Sequence, residues 1–225
     1  MLVRDRMTTS VCTVSPDTPL ERALMLIRSR HIRSLPVLQQ GRLVGIVTLT
    51  DLMRAQPPPA TFLRRLEIPA LMQDAQVHEV MTPSPETVSP ETPLEEAAVC
   101  MRRRKIGGLP VVKNGVLVGI VTESDIFDAF IELLGVRWPS YRLTLDVDDG
   151  AAALPNITAV FFTLGLPLYS VSTYSAEQGR FEVVMRVGRA IPLTSLVNAL
   201  KERGLEIVHA ADGGRVVIDL ARVGA

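Results

Sequence analysis

Two threonine–aspartate pairs with the same spacing could bind a ligand. Thr48 and Asp51 follow the residues Gly-Ile-Val, and Thr122 and Asp125 follow the same three residues. In each pair the threonine ends an apolar stretch typical of a strand, and the aspartate falls in the first turn of a following helix. The unpaired N–H groups of a helix start attract anions. The threonine hydroxyl can bond to a ribose or phosphate oxygen, and the aspartate can accept from two ribose hydroxyls. The alternative is that both residues only cap the helix, where aspartate is favoured in any case.

The two pairs belong to an internal repeat. A shift of 74 residues places Met7–Ala55 over Met81–Ala129 without a gap, and 27 of the 49 positions are identical. Internal repeats of this kind indicate copies of one structural unit that pack on each other. A single copy of about 50 residues buries too little surface to be stable alone, so we expect the two copies to form a pair.

Each copy predicts the order β-α-β-β-α. The first helix of each copy is predicted from a capping box, Thr18 to Glu21 and Thr92 to Glu95, with proline at the first helical position. An apolar stripe with helical spacing follows in each copy: Leu20, Ala23, Leu24 and Ile27, then Leu94, Ala97, Ala98 and Met101. The predicted strands are Leu35–Leu38, Leu43–Thr48, Leu109–Val112 and Leu117–Thr122, joined by Gln40-Gly41 and Asn114-Gly115. A second helix is predicted to begin near Thr50 or Ser124, and residues 56–76 form a connector with its own apolar side.

These copies resemble CBS domains, which occur in tandem and pack as a pair. The marks are the Met-Thr start, the Leu-Pro-Val strand and the motif Gly-Ile-Val-Thr-x-x-Asp, each present twice in register. The resemblance implies a regulatory pair that binds an adenosine-containing ligand such as AMP, ATP or S-adenosylmethionine. In CBS domains of that kind, the threonine and aspartate of the motif contact the ribose and phosphate. The pairs Thr48/Asp51 and Thr122/Asp125 are therefore expected to bind the ligand.

The resemblance also implies groups beside the Leu-Pro-Val strands, where the two copies differ. Arg33 is expected to reach a phosphate in the first site, while Ile106, Gly107 and Gly108 offer backbone to the adenine. The partner repeat is expected to contribute Thr92 and Ala97 to the first site, and Thr18 and Ala23 to the second. The first site should therefore favour phosphorylated ligands.

The C-terminal part predicts a different unit of order β-α-β-β-α-β, which is ferredoxin-like. Its predicted elements are Tyr141–Val147, Leu154–Leu166, Leu168–Tyr174, Phe181–Val187, Leu193–Arg203 and Glu206–His209, with a further edge strand at Arg215–Leu220. This segment resembles ACT domains, which bind small effectors such as amino acids and pair with one another. The family's ligand turn, Asp-x-Pro-Gly, aligns with Asp149, Ala151 and Ala152, so the glycine is missing and dimerisation is an equally good interpretation.

The fold class predicted from these segments is mixed α+β, with a tandem CBS pair and a ferredoxin-like ACT domain. The domains are residues 1–76, 77–136 and 138–225, a layout similar to CBS–ACT regulatory proteins of the acetoin-utilisation type. We expect a homodimer, in keeping with the common preference for two-fold symmetry.

Composition restricts the function classes. The formal net charge is zero, which disfavours a nucleic-acid binder. The two cysteines are too few for a disulfide framework or a structural zinc site. The N-terminus lacks the apolar core of a signal peptide, and no stretch is long enough to span a membrane, so we expect a cytoplasmic protein.

We interpret the chain as a sensor and not an enzyme, with no metal and no required cofactor. Its three histidines lie in separate segments, and the sequence lacks the common nucleophile, metal-protease and phosphate-loop motifs. Two alternatives stay open: a ligand-independent dimeric scaffold that binds a partner protein which it regulates, or an accessory subunit of an enzyme.

Overall fold

The computed structural model describes residues 1–55, 75–175, 179–213 and 215–219. The predicted connector over 56–76 therefore lies outside the described residues except for its last two positions, as do Gln178 and Leu220. The chain divides into two compact units, residues 1–127 and 128–225. Among the described residues, no helix combines the length and the apolar character needed to cross a bilayer.

The first unit contains both repeats in the predicted order. The first repeat has α1 (Leu20–Arg30), β1 (Ser34–Gln39), β2 (Arg42–Thr48) and α2 (Leu49–Arg54). The second has β3 (Thr82–Pro83), α3 (Leu94–Arg104), β4 (Gly108–Lys113), β5 (Val116–Thr122) and α4 (Glu123–Leu133), which ends beyond residue 127. The extended segment before each first helix makes one parallel bridge, Val14 to Val37 and Val88 to Val111. The α-β-β-α part of the prediction is therefore confirmed, and the first predicted strand of each copy forms only an isolated bridge.

The hairpins form where the sequence predicts them. β1 pairs antiparallel with β2, and β4 pairs antiparallel with β5 in the same register. Both central turn residues have positive φ: Gln40 and Gly41 at 50° and 78°, Asn114 and Gly115 at 52° and 79°. Turns of this kind match the right-handed twist of the flanking strands, which is why glycine follows asparagine or glutamine at both positions.

The predicted apolar stripes form the cores of the repeats. Leu20, Ala23, Leu24 and Ile27 are all buried, and Ala23 has no exposed surface. In α3, the buried members are Leu94, Ala97 and Met101, while Ala98 is only half-buried. The first core also includes Val77, which stands in the sequence at the entry to the second repeat.

Each repeat donates its leading segment to the other repeat. The Thr8 N–H and carbonyl both bond to Ile120 in β5, at 2.9 and 3.0 Å, and β3 pairs with β2 through Ile46 to Thr82. The residues that precede the Met-Thr start of each repeat also bond to the other repeat. Val3 donates to the Thr92 carbonyl at 2.9 Å, and Val77 donates to the Thr18 carbonyl at 2.9 Å. This reciprocal exchange explains why one repeat does not suffice: each sheet and each helix start is completed by the other copy.

The motif glycines admit the crossing segments. A Cβ added at Gly45 would lie 2.5 Å from the Met81 sulfur, and one added at Gly119 would lie 2.7 Å from the Met7 sulfur. Two marks of the repeat, the Met-Thr start and the glycine of Gly-Ile-Val-Thr, are therefore opposite sides of one contact between repeats.

The second unit is a five-stranded antiparallel sheet with two helices on one face. Its elements are β6 (Ser140–Val147), α5 (Gly150–Thr163), β7 (Leu168–Ser175), β8 (Phe181–Gly188), α6 (Leu193–Lys201), β9 (Glu206–Asp212) and β10 (Arg215–Asp219). The strand order is β10-β9-β6-β8-β7. Without the added edge strand β10, this is the ferredoxin-like arrangement that the element order predicts.

The helical face of this sheet is the core of the unit. Leu143, Leu145, Val183 and Met185 have no exposed surface and pack in one cluster with Ile157, Phe161, Leu196 and Leu200 from α5 and α6. Several boundaries differ from the prediction by one to four residues, and the largest difference is that α5 begins at Gly150 and not at Leu154. The alanines at 151–153 favour the helix, and Asp149 caps it.

Candidate functional site

The Thr48–Asp51 corner lies at the end of β2, where α2 begins. One carboxylate oxygen of Asp51, Oδ2, accepts from the Thr48 N–H at 2.9 Å and from the Thr48 hydroxyl at 2.6 Å. The Asp51 N–H donates back to Thr48 Oγ1 at 3.2 Å. Both side chains are partly exposed. The other carboxylate oxygen of Asp51 accepts no hydrogen bond from the described residues, so it can accept one from a ligand.

The Thr122–Asp125 corner repeats the two bonds to the carboxylate. Asp125 Oδ2 accepts from the Thr122 N–H at 2.8 Å and from the Thr122 hydroxyl at 2.7 Å. The threonine and the aspartate of each motif therefore hold each other in a capping arrangement, which was the alternative interpretation of these residues. The second helix of each repeat begins one residue before the predicted start near Thr50 or Ser124. The helices begin at Leu49 and Glu123, so the preceding threonine stands in the cap position and its hydroxyl is within reach of the aspartate.

The capping arrangement limits the anion site that the sequence suggests at the start of α2. The Asp51 N–H is bonded to Thr48, and the Leu49 N–H donates to the Arg33 carbonyl at 2.8 Å. The corner therefore offers mainly an acceptor, the free oxygen of Asp51, which suits a hydroxyl donor such as a ribose.

The two corners differ in charge at two neighbouring positions, where Arg33 aligns with Gly107 and Leu49 aligns with Glu123. Arg33 is exposed and its backbone lies against the start of α2. Its counterpart Gly107 accepts from the Glu123 N–H at 3.1 Å, and a Cβ at Gly107 would lie 3.4 Å from the Glu123 carboxylate. The first corner thus has the positive side chain of Arg33. The second corner has no side chain at Gly107 and has the negative side chain of Glu123 next to it.

The structure places Ile106, Gly107 and Gly108 beside the second corner. Gly108 pairs with Thr122 across the β4–β5 ladder, and Gly107 bonds to Glu123. Ile106 is half-buried, and its N–H donates to the Met101 carbonyl at 3.0 Å. These contacts all lie within the second repeat, so any role of this backbone in the first site depends on the resemblance alone.

The residues expected from the partner repeat have other contacts. Thr18 and Thr92 do not form the predicted capping boxes, because α1 and α3 begin one residue too late and have no side-chain cap. Their hydroxyls instead accept from the N–H groups of Ser15 and Ser89, at 3.0 and 3.1 Å, and so hold the preceding turns. Ala23 and Ala97 have no exposed surface. Their side chains belong to the buried core of each repeat, and their contact with a ligand stays a prediction.

Comparison with known proteins identifies the first unit. The family model described as CBS domain matches residues 3–57 and 77–132. A CBS domain-containing protein of Dictyostelium discoideum is 36% identical over 136 residues, which cover 60% of this chain and 94% of the relative. The chain belongs to the CBS-domain family.

Solved structures agree with this assignment to a CBS pair. A protein from Vibrio cholerae described as the acetoin utilization protein AcuB is 35% identical with a TM-score of 0.51, covering 61% of this chain and 95% of that one. CBSX2 from Arabidopsis thaliana is 31% identical with a TM-score of 0.50, covering 58% of this chain and 94% of that one. CBSX2 has also been solved in complex with AMP. By the family match, the first unit is a CBS pair of the regulatory type.

Four basic residues end helix α3 of the second CBS repeat, and they are largely solvated. Arg102, Arg103, Arg104 and Lys105 are all exposed at the end of α3. Arg104 forms an ion pair with Glu86 at 2.6 Å, and Lys105 adopts the left-handed conformation that ends the helix. Cations at this end of a helix also suit its dipole.

In the second unit, the turn aligned with the ACT ligand turn is already bonded. Asp149 Oδ1 accepts from the N–H groups of Ala151 and Ala152, at 2.8 and 3.2 Å. The backbone that would meet a ligand is therefore the first turn of α5, capped by its own aspartate. The CBS match ends at residue 132, and the ACT identity of this unit stays a prediction.

Proposed function

We propose that this CBS pair senses an adenosine-containing ligand, such as AMP, ATP or S-adenosylmethionine, and regulates another activity instead of catalysing one. The observation that carries the proposal is the twin Thr–Asp corner. In each repeat one carboxylate oxygen is held by the threonine, and the second oxygen is left for a ligand at a partly exposed position. The capping bonds favour this function, because they fix the direction of the carboxylate before a ribose arrives.

The first corner is the better site for a phosphorylated ligand. Arg33 is exposed and lies beside α2, where its guanidinium can reach a phosphate, and charge-assisted arginine–phosphate bonds are among the strong ones. AMP is the first ligand to test, since CBSX2 has been solved with it. The backbone of Ile106 to Gly108 and the turns held by Thr18 and Thr92 are the remaining candidate contacts.

The three histidines have separate structural contacts. His31 ends α1 in an exposed left-handed conformation, His78 faces the Pro16 carbonyl at 3.3 Å, and His209 lies beside Arg142 in the second unit. Each histidine is in a different element and has a structural contact of its own.

The test is calorimetric titration of the full chain with AMP. Asp51→Ala should weaken AMP binding at least tenfold, because it removes the ribose acceptor of the site that also has Arg33, whereas Asp125→Ala should weaken it less. Asp128→Ala is the matched control: it removes an exposed carboxylate whose 3.8 Å pair with Arg137 is solvated. Circular dichroism checks that each variant is folded, since Asp51 also caps α2.

The proposal fails if AMP, ATP and S-adenosylmethionine all leave the wild-type melting temperature unchanged and give no heat of binding. That result would favour a ligand-independent scaffold. Equal loss in Asp51→Ala and Asp128→Ala would also contradict a site at the first corner.

A further inference from the structure

The second unit presents a polar sheet face opposite its core. Side chains alternate along β6 and β8, so that Leu143, Leu145, Val183 and Met185 face the helices, while Arg142, Thr144, Val184 and Arg186 lie on the other face. This polar face is separate from the Asp149 turn, which follows the end of β6.

Two arginines stand directly opposite each other on this face. Arg142 of β6 is the register partner of Arg186 of β8, and both are only partly exposed. Like charges at directly opposite positions of an antiparallel pair are destabilising. Burial and the positive charge of Arg142 lower the pKa of Arg186. A pair of cations in this position favours an anion between them.

Within the described residues, neither guanidinium has a carboxylate partner. Arg142 donates to Thr144 Oγ1 at 2.9 Å and faces His209 Nδ1 at 3.3 Å, and Arg186 donates to Ser140 Oγ at 3.3 Å.

The acidic side chains nearby are engaged elsewhere. Asp146 pairs with Arg180 at 2.7 Å, and Glu182 accepts from the Tyr174 hydroxyl. Among the described residues, no carboxylate lies within ion-pair distance of either guanidinium.

The arginines line a cavity of about 210 Å³. Ser172 and Tyr174 add hydroxyls to its wall, and Phe130 and Val184 add apolar surface. This volume is below that of sites for drug-sized molecules, and it suits a small anion with a limited apolar part.

We propose that this cavity binds a phosphate group, either as inorganic phosphate or on a small metabolite. Two guanidinium groups supply the charge that a phosphate dianion needs, and each can make two parallel N–H···O bonds to it. A monocarboxylate balances only one of the two arginines. The Ser172 hydroxyl is a further donor to the phosphate oxygens, and Phe130 and Val184 provide contact for an organic substituent.

The experiment titrates the full chain with inorganic phosphate, phenyl phosphate and acetate at constant ionic strength, followed by calorimetry. Phosphate binding should weaken at least tenfold in Arg142→Gln and in Arg186→Gln. The matched control is Arg203→Gln, an exposed arginine after α6, which should leave binding unchanged. Phenyl phosphate binding tighter than inorganic phosphate would favour a phosphorylated metabolite as the ligand, and the reverse would favour free phosphate.

Two further measurements separate this site from the CBS pair and from a loss of folding. The double variant Asp51→Ala/Asp125→Ala should bind phosphate as the wild type does. In chloride, Arg186→Gln should melt no lower than the wild type, because it removes one of two facing like charges. The proposal is overturned if acetate binds as well as phosphate, if Arg203→Gln has the same effect as the cavity variants, or if wild-type protein binds neither phosphate probe.

Discussion

Two neighbouring positions distinguish the two CBS corners chemically, 33 against 107 and 49 against 123. Arg33 precedes the first Leu-Pro-Val strand, and its carbonyl bonds to the first residue of α2. At the same place in the second repeat stand Gly107 and the Glu123 carboxylate, which would lie 3.4 Å from a Cβ at residue 107. An arginine attracts a phosphate and a glutamate repels it, so the difference between the two sites is larger than the loss of one arginine.

Arg33→Ala should therefore weaken binding of AMP by about tenfold and leave adenosine binding nearly unchanged. A hydrogen bond to a charged group contributes about 1.5–3 kcal/mol, and adenosine has no phosphate to lose this contact. Calorimetry with both ligands measures the difference. The matched change is Glu123→Leu, which gives the second repeat the residue that the first has at position 49 and should strengthen AMP binding at the second corner. Equal weakening of AMP and adenosine by Arg33→Ala would contradict a phosphate contact.

Among the secondary-structure elements, the two repeats are joined by short segments that each repeat contributes to the sheet of the other. The Met7–Thr8 segment lies on β5, and β3 lies on β2, with Gly119 and Gly45 beneath the methionine sulfurs. A side chain at either glycine would collide with a methionine and with the backbone carbonyl of the next threonine, at 3.1–3.2 Å. The glycines are therefore required by packing and not by backbone conformation, since neither has positive φ.

Gly45→Ala should lower the free energy of unfolding of the first unit by about 1–3 kcal/mol, the usual cost of overpacking. Urea denaturation measures the change, and Gly107→Ala is the control because the nearest atom to its added Cβ would be at an ordinary 3.4 Å. Adding Met81→Ala should cost less in the Gly45→Ala background than in the wild type, since contacting residues are not additive. If the losses in the free energy of unfolding from Gly45→Ala and Met81→Ala simply add, contact with Met81 is not the cause of the destabilisation.

For the whole molecule, we expect a homodimer. In the described sheet of the second unit, β7 is an eight-residue edge strand, and such an edge can pair with the same strand of a second copy. Light scattering should give about 49 kDa, twice the 24.6 kDa of one chain. A mass of 24.6 kDa that does not change with concentration would contradict the dimer.

Much of the architecture could be predicted because it depends on short-range pattern. The repeat, the helical stripes from Leu20 and Leu94, and the turns at Gly41 and Gly115 each follow from residues close together in sequence. The same holds for the ferredoxin-like element order of the second unit. The Thr–Asp corners were also found this way, because strand end and helix start are adjacent in the chain.

The sequence by itself determined the elements and the candidate side chains, and the tertiary structure decided their partners. Thr18 and Thr92 have the pattern of a cap, yet crossing segments near Val77 and Val3 bond to their carbonyls, and their hydroxyls hold a turn instead. Arg142 and Arg186 are 44 residues apart and become opposite only through the β6–β8 register. The strand register and the exchange of segments between repeats depend on which long-range contacts bury the most surface. A local pattern of residues does not contain that information.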